Sequence, residues 1–210
     1  MRALLAKKIG MTQVNDDKGH QVPVTVMQVG PCTVVQRKTA ANDGYEAVQL
    51  GFLDQKEQRL SKGEAGHFKK NGVKPAKVLR EVRLDAGDDL KPGETVTVKL
   101  FEGVSHVDVI GVTKGQGFQG VVKRHRMAGG PASHGHMSHR RIGAIGQRTW
   151  PARIMKLKRM PGHMGNTSIT VQNLRVIQVR PDDNVILVEG SIPGPTGATV
   201  LIRKAVKKIK

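Results

Sequence analysis

The chain has 210 residues, with 35 Lys and Arg against 17 Asp and Glu, so its formal net charge is +18. A charge of this size on one or two small domains attracts polyanions, which makes nucleic acid the first candidate partner and an anionic membrane the second. Only six residues are aromatic, too few for a module that stacks successive bases of a single strand on rings.

The composition also argues against a membrane or secreted protein. There is neither an apolar run of about 18 residues nor a long amphipathic basic helix. Near the N-terminus, Leu4-Leu5-Ala6 is followed at once by Lys7-Lys8, too short an apolar stretch for the core of a signal peptide. The single cysteine, Cys32, excludes an internal disulfide and a multi-cysteine zinc site, and we interpret it as a small buried hydrophobe. We therefore expect a cytoplasmic protein with no membrane contact.

Short Val-rich runs separated by Gly, Pro and Asp predict a mainly β fold. One short helix is expected, because Ser61 stands three residues before Glu64 in a capping-box arrangement and the segment ends at Asn71-Gly72. Strands this short at regular spacing are typical of a β-barrel or a β-sandwich. The nine predicted strands are residues 22–29, 33–37, 46–53, 78–84, 95–101, 107–113, 169–179, 184–189 and 198–203.

The charge is not spread evenly along the chain. No acidic residue occurs between Asp108 and Asp182, a gap of 73 residues that holds 13 Lys and Arg. The remaining 137 residues carry 22 basic against 17 acidic groups and are only mildly positive. The positive charge therefore belongs to an insertion in the fold and not to the whole fold.

Residues 115–165 form the core of this insertion. They include ten Gly, ten Lys and Arg and five of the eight His, and they show neither a helical stripe nor sustained strand alternation. We predict a discontinuous β domain made of residues 1–114 and 166–210, with 115–165 as a basic extension that becomes ordered on nucleic acid. A solvated basic loop without a specific partner is the alternative, although such a loop does not need apolar residues such as Ile145, Trp150 and Leu157.

The run Gly115-Gln116-Gly117-Phe118-Gln119-Gly120 matches the glycine fingerprint of dinucleotide-binding folds. The rest of that fingerprint is missing, because Gly129-Gly130-Pro131 follows too soon for a long helix and the acid that binds the ribose is absent. We therefore predict no dinucleotide cofactor. The glycines are interpreted as places where the backbone can approach a sugar-phosphate chain closely.

Few residues suit metal binding or catalysis. His134, His136 and His139 lie within six residues, but no carboxylate is near in sequence to support a zinc site, so we predict no metal. The acidic pairs Asp16-Asp17 and Asp88-Asp89 are at turn-like positions that are typical of solvated surface. A nucleic-acid enzyme is therefore a weaker hypothesis than a nucleic-acid-binding protein.

Basic residues spaced through Gly-rich backbone are the strongest functional signal. Such residues neutralise phosphates along an irregular path, and the intervening Gly and Pro forbid a long groove-reading helix. We therefore favour folded RNA over the DNA major groove, with the His cluster donating to phosphates or 2′-hydroxyls or stacking on bases. The basic groups are Lys123-Arg124-His125-Arg126, Arg140-Arg141, Arg153, Lys156, Lys158 and Arg159, while the C-terminal Arg203-Lys204 and Lys207-Lys208-Ile209-Lys210 form either a second, nonspecific anchor or a solvated end.

Motifs distributed along essentially the whole chain are shared with one protein family. They are Ala6-Lys7-Lys8-Ile9-Gly10-Met11-Thr12, Gly30-Pro31-Cys32 to Lys38, Asp43-Gly44-Tyr45-Glu46-Ala47-Val48-Gln49, Lys114 to Gly120, His134-Gly135 with Ser138-His139-Arg140, Gly143-Ala144-Ile145-Gly146-Gln147, and Met160-Pro161-Gly162-His163-Met164-Gly165-Asn166. Together, and in this order, they resemble the family of bacterial ribosomal protein three of the large subunit.

The resemblance implies a non-enzymatic protein with a β-barrel domain on the outer surface of the large subunit. Its extension is expected to thread through the rRNA toward the peptidyl transferase centre. The family binds rRNA early in assembly, next to the 3′ end of the large-subunit rRNA, with neighbouring ribosomal proteins against the barrel and no small-molecule substrate.

The resemblance also implies particular site residues. Gln147, Arg148 and Trp150 are expected at the tip of the extension, nearest to the catalytic RNA. Gln147 falls where some bacterial members carry N5-methylglutamine, which would bring a glutamine methyltransferase as a further partner. The predicted rRNA-binding residues are Lys123, Arg124, His125, Arg126, His134, His136, His139, Arg140, Arg141, Gln147, Arg148, Trp150, Arg153, Lys156, Lys158, Arg159 and His163.

Overall fold

Strands make up most of the regular structure in the computed structural model, which describes residues 1–16, 18–85 and 87–208. The chain divides into two units: Met1–Val112 with Ser168–Lys210, here called the globular unit, and Thr113–Thr167, here called the insert unit. No helix in the described part of the chain is long and apolar enough to cross a membrane. The elements are β1 (Ala3–Asn15), β2 (Gln21–Val29), β3 (Cys32–Lys38), α1 (Ala40–Asp43), β4 (Ala47–Asp54), a 3-10 helix (Glu57–Arg59), α2 (Lys62–Asn71), β5 (Ala76–Arg83), β6 (Thr95–Val96), a second 3-10 helix (Val98–Phe101), β7 (His106–Val112), β8 (Gly117–Gln119), α3 (Val121–His125), β9 (Gly162–Met164), β10 (Ser168–Arg180), β11 (Val185–Glu189) and β12 (Thr199–Lys204).

The globular unit is built around a closed barrel of six antiparallel strands in the order β1-β12-β7-β10-β11-β2, with β2 pairing back to β1. Branched aliphatic side chains fill its core, among them the fully buried Val29, Val109 and Ile202. Such side chains suit the position because they pack well on a pleated, curved surface. The mainly β fold predicted from the sequence is confirmed.

A second sheet, in the order β5-β4-β3-β6, belongs to the same unit and carries α2. The helix is tied to β4 by a hydrogen bond of 2.7 Å between His67 Nε2 and Gln49 Oε1. Its N-terminus is a capping box, in which the N–H of Glu64 donates to Ser61 Oγ and the N–H of Ser61 donates to the Glu64 carboxylate. These hydrogen bonds from Ser61 lower the pKa of Glu64 below its usual value. The predicted helix, which ends before Gly72, is confirmed.

The predicted strand over residues 95–101 is wrong beyond its first two residues. Only Thr95 and Val96 form a strand, β6, at the edge of the second sheet. Residues Val98–Phe101 form a 3-10 helix instead. Val98 and Phe101 are both fully buried, and a spacing of three residues places them on the same face of a 3-10 turn. Helical spacing of two apolar residues was therefore mistaken for strand alternation.

The first barrel strand, β1, was not predicted, although it equals β10 as the longest strand of the structure. Its first residues pair with β12, its later residues pair with β2, and the register shifts between Lys8 and Gly10. Lys8 is buried, and its ammonium donates to the carbonyls of Ile192 at 3.0 Å and Gly194 at 3.2 Å. The bulge and the buried lysine remove the alternation by which a strand is recognised.

Cys32 begins β3 and is fully buried. Its Sγ lies 3.6 Å from the Leu5 carbonyl, to which it donates. Burial raises the pKa of the thiol to about 11, so the thiolate is rare at neutral pH. The interpretation of this residue as a small buried hydrophobe is confirmed.

A buried carboxylate joins three barrel strands at one point. Asp108 on β7 is 2% exposed and accepts hydrogen bonds from the N–H of Asn173 at 3.0 Å, from the N–H of Val206 at 3.4 Å and from the Arg203 guanidinium at 3.2 Å. Asn173 lies at a bulge of β10 and has a left-handed φ of +57°. The carboxylate thus satisfies a backbone donor that the bulge removes from the strand ladder.

We expect Asp108→Ala to lower the free energy of unfolding of the full chain by about 3 kcal/mol, because two backbone donors and a guanidinium lose a buried acceptor. The matched control is Asp183→Ala, at an exposed position in the turn before β11, which should change it by less than about 0.5 kcal/mol. Urea unfolding of both variants and the unmodified chain checks this. Equal effects of the two substitutions would contradict the role assigned to Asp108.

Candidate nucleic-acid interface

Both ends of the insert unit meet in a short antiparallel ladder. β8 pairs with β9, and Phe118 lies directly opposite His163. Next to the ladder, the N–H of Thr113 donates to the Thr167 carbonyl at 3.0 Å. Glycine is required at Gly165, because its φ is +76° and a Cβ would collide with the backbone of the opposite arm. The expectation that 115–165 has no regular structure is therefore wrong at its two ends, where β8, α3 and β9 lie.

The glycine run of residues 115–120 belongs to this ladder. Gly117 begins β8, and Gly120 is the N-cap of α3, which has only five residues. Dinucleotide-binding folds place such glycines between a parallel strand and a long helix. The antiparallel ladder and the short helix do not provide that setting.

Two predicted rRNA-binding residues face the interior of the insert unit. Arg124 Nη1 donates to the Met160 carbonyl at 2.7 Å, and His125 Nε2 donates to the same carbonyl at 3.0 Å. The Arg124 guanidinium also lies against Gly162, where a Cβ would approach Nη1 to 2.7 Å. Both side chains are half-buried, so they hold α3 against the segment before β9.

The histidine cluster lies on a loop that is closed by its own hydrogen bonds. The N–H of Gly130 donates to the His139 carbonyl at 2.8 Å, and His139 Nδ1 donates to the Pro131 carbonyl at 2.8 Å. His136 Nδ1 accepts the N–H of Ser138 at 3.2 Å. Among the described residues, no group of three or more His, Cys, Asp and Glu is arranged to hold a metal ion.

The other predicted site residues share one property, which is exposure to solvent. Trp150 is 83% exposed, and Leu157, an apolar neighbour in the same unit, is fully exposed. Burial of such side chains against a partner is favourable, whereas their exposure is not. That these residues bind rRNA stays a prediction. The exposed residues are Lys123, Arg126, His134, His136, His139, Arg140, Arg141, Gln147, Arg148, Trp150, Arg153, Lys156, Lys158, Arg159 and His163.

The charges of the insert unit have no acidic partner within it. The unit contains no Asp or Glu, and every ion pair found among the described residues lies in the globular unit. Its cations therefore repel one another, and neutralisation by an external polyanion is favourable.

A cleft of about 380 Å³ lies at the predicted tip of the extension. Gln147, Arg153 and Lys158 line it together with Ile145, Pro151 and Met155. The structure thus brings three of the predicted site residues around one concave surface with mixed apolar and basic character.

The acidic residues weighed as catalytic candidates have structural partners. Asp88 forms an ion pair with the N-terminal ammonium of Met1, and Asp89 forms one with Arg37. Asp17 lies outside the described residues. The interpretation of the Asp88-Asp89 pair as solvated surface holds for Asp89, whose side chain is exposed, whereas Asp88 is half-buried by its contact with the N-terminus.

The C-terminal basic residues differ in their surroundings. Arg203 and Lys204 belong to β12, and Arg203 binds the buried Asp108. Lys207 and Lys208 are exposed, while Ile209 and Lys210 lie outside the described residues. The alternatives of a C-terminal anchor and a solvated end both stay open, although the ion pair with Asp108 engages the Arg203 guanidinium.

Sequence reasoning missed Phe118 as a candidate interface residue. Its ring is 76% exposed on β8, although apolar residues in a strand normally face a core. The signal was present in the sequence, because this lone aromatic residue stands in a glycine-rich run whose few side chains can cover little of a ring. The interpretation of this run concerned its glycines and not the Phe118 ring.

Comparison with known proteins identifies the family. The family model described as Ribosomal protein L3 matches residues 83–184. The large ribosomal subunit protein uL3 of Solibacter usitatus (strain Ellin6076) is 52% identical over 204 residues, which are 96% of this chain and 97% of that protein. The uL3 proteins of Thermotoga maritima and Heliobacterium modesticaldum are 50% and 48% identical, and each alignment covers 98% of both chains.

The fold and the surface together define a class of protein, a β domain with an acid-free basic insertion suited to a polyanion. The chain belongs to the ribosomal protein L3 family, named uL3 in its relatives. The family resemblance drawn from the sequence motifs is confirmed. Members of this family are structural proteins of the large ribosomal subunit and not enzymes.

Proposed function

We propose that this large-subunit ribosomal protein binds large-subunit rRNA through the insert unit, in the cytoplasm and next to other ribosomal proteins. One observation carries the proposal: the insert unit exposes its Lys and Arg side chains while containing no acidic residue. Family membership supports the choice of rRNA over DNA as the polyanion.

Two physical features of the insert unit suit folded RNA. Exposed guanidinium groups form forked hydrogen bonds to phosphates, and their spacing through irregular backbone follows a path that no regular groove imposes. Open glycines such as Gly135 and Gly143 have nothing within 4 Å of the position of a Cβ, so a sugar-phosphate chain can approach the backbone there. Neutralising RNA charge in this way holds RNA helices together without any chemistry by the protein.

The position of the protein in the large subunit is inferred from the family resemblance. The protein is inferred to bind early in assembly near the 3′ end of the large-subunit rRNA, with the tip of the insert unit directed toward the peptidyl transferase centre. The residues inferred to contact rRNA are the exposed basic and imidazole side chains of 123–163 together with Gln147 and Trp150. Peptide-bond chemistry remains that of the RNA.

The salt dependence of binding tests the rRNA interface. A variant with Arg140, Arg141, Arg148 and Arg153 changed to Ala should bind the 3′-terminal part of the rRNA more weakly, with a salt slope smaller by roughly 0.7–0.9 per lost phosphate contact. The control removes four exposed lysines of the globular unit, Lys62, Lys70, Lys91 and Lys99, and so carries the same net charge.

Filter binding or fluorescence anisotropy over a range of salt concentrations measures both quantities. The control should retain most of the affinity and the slope. If the two variants behave alike, net charge rather than the insert unit governs binding. Tighter binding to duplex DNA than to the rRNA fragment at matched salt would favour a DNA-architectural protein instead.

The position of the tip is tested by Trp150→Ala in ribosomes. One side chain adds little to the affinity of a many-charged interface, so large subunits should form in normal yield on sucrose gradients. Peptide synthesis should be slower, because the exposed indole is inferred to position RNA near the catalytic centre. Val206→Ala, which changes an exposed apolar residue of the globular unit, is the control. Poor assembly followed by normal translation would contradict this role.

We also propose that Gln147 is the site of N5-methylation by a glutamine methyltransferase. Its side chain is exposed and borders the cleft at the predicted tip, so a methyltransferase can reach it in the protein that has not yet bound RNA. Tryptic digestion of the protein from native large subunits should yield residues 142–148 heavier by one methyl group. The peptide 160–175, which contains Gln172, should be unmodified. An unshifted mass for 142–148 would refute the proposal.

A further inference from the structure

Two exposed rings face the same side of the β8–β9 ladder. Phe118 and His163 are directly opposite each other in the antiparallel register. Side chains at opposed positions project from the same face with their Cβ atoms about 4.5–5.5 Å apart. The Phe118 ring is 76% exposed, and His163 is also exposed. The pair therefore presents an uncovered aromatic surface.

The other face of the ladder is occupied. The neighbouring positions Gln119, Gly162 and Met164 alternate to that face and are half-buried. The Arg124 guanidinium lies against Gly162 and is fixed by its hydrogen bond to the Met160 carbonyl. One face of the ladder is thus packed against other residues of the insert unit. The opposite face, which carries Phe118 and His163, is free to receive a ligand.

The surroundings of the ring pair specify the charge of that ligand. No acidic residue lies within the insert unit, and the exposed Lys114 and Lys123 flank β8 in sequence. Gly120, two residues beyond the ring, has nothing within 4 Å of the position of a Cβ. A planar base on a sugar-phosphate chain can therefore lie on the Phe118 ring, while the phosphates of that chain approach the protein backbone at the glycine.

We propose that Phe118, with His163 beside it, forms a stacking platform for one unpaired base of the rRNA. The proposal rests on the proposed function and adds a defined base contact to an interface in which phosphate contacts predominate. One platform of this kind agrees with the small number of aromatic residues, since only serial stacking along a strand needs many rings. Stacking is insensitive to salt, which separates its contribution from that of the cations.

Binding of the full chain to the 3′-terminal part of the rRNA tests the platform. Phe118→Ala should weaken binding about tenfold, the range for loss of one stacked base being roughly 5- to 150-fold, with an unchanged salt slope. Phe118→Tyr should restore affinity. Val206→Ala, which removes an exposed apolar side chain without a ring from the globular unit, should have little effect. Equal affinities for Phe118→Ala and Val206→Ala would overturn the proposal.

Fluorescence supplies a readout that a packing role would not change. In a Phe118→Trp, Trp150→Phe variant the only indole is at position 118. A stacked base should quench its emission on addition of saturating rRNA fragment, whereas unquenched emission in the bound state would refute stacking. If the unmodified chain does not bind the fragment at all, the proposed function fails first. If it binds but position 118 shows neither effect, only the platform fails.

Discussion

The separation of charge along the chain is the constraint on which the rest of the structure depends. The stretch without acidic residues, from Val109 to Pro181, begins inside β7 and ends just after β10. These two strands are neighbours in the barrel, where Val112 pairs with Ser168. The ends of the insertion are therefore held together by strand pairing, so the entropy of closing a long loop is offset within the barrel. The globular unit can carry its own ion pairs, while the insert unit keeps its cations unpaired.

Features encoded by neighbouring residues could be predicted from the sequence. The capping box of Ser61 and Glu64 needs only four consecutive residues, and it defines α2 in the structure. The strand β1 could not be found in this way. Its buried Lys8 donates hydrogen bonds to the carbonyls of residues 192 and 194, which lie far away in sequence. The same limit applies to Asn173, whose bulge is stabilised by the distant Asp108. Long-range contacts override local pattern at these positions.

The candidate site could be predicted in composition but not in geometry. Counting charges located the insert unit, since the absence of acidic residues is a property of the sequence itself. Counting could not show that Arg124 and His125 turn inward to one carbonyl while Arg140 and Arg141 remain exposed. Counting charges also could not reveal that Phe118 is exposed, because its exposure depends on which face of the β8–β9 ladder is packed against other residues.

The charged and the uncharged exposed side chains of the insert unit contribute differently to RNA binding. Neutralisation of phosphates contributes an affinity that is the same for every RNA segment. This contribution weakens steeply as the salt concentration rises. Exposed rings and apolar side chains such as Phe118, Trp150 and Leu157 gain little from a bare phosphate chain and much from unstacked bases or a closely fitting surface. An interface made only of cations would bind any RNA, so selection among RNA sites must come from these few uncharged groups and from shape. Their small number is sufficient, because discrimination needs a difference in free energy between sites and not a large total affinity.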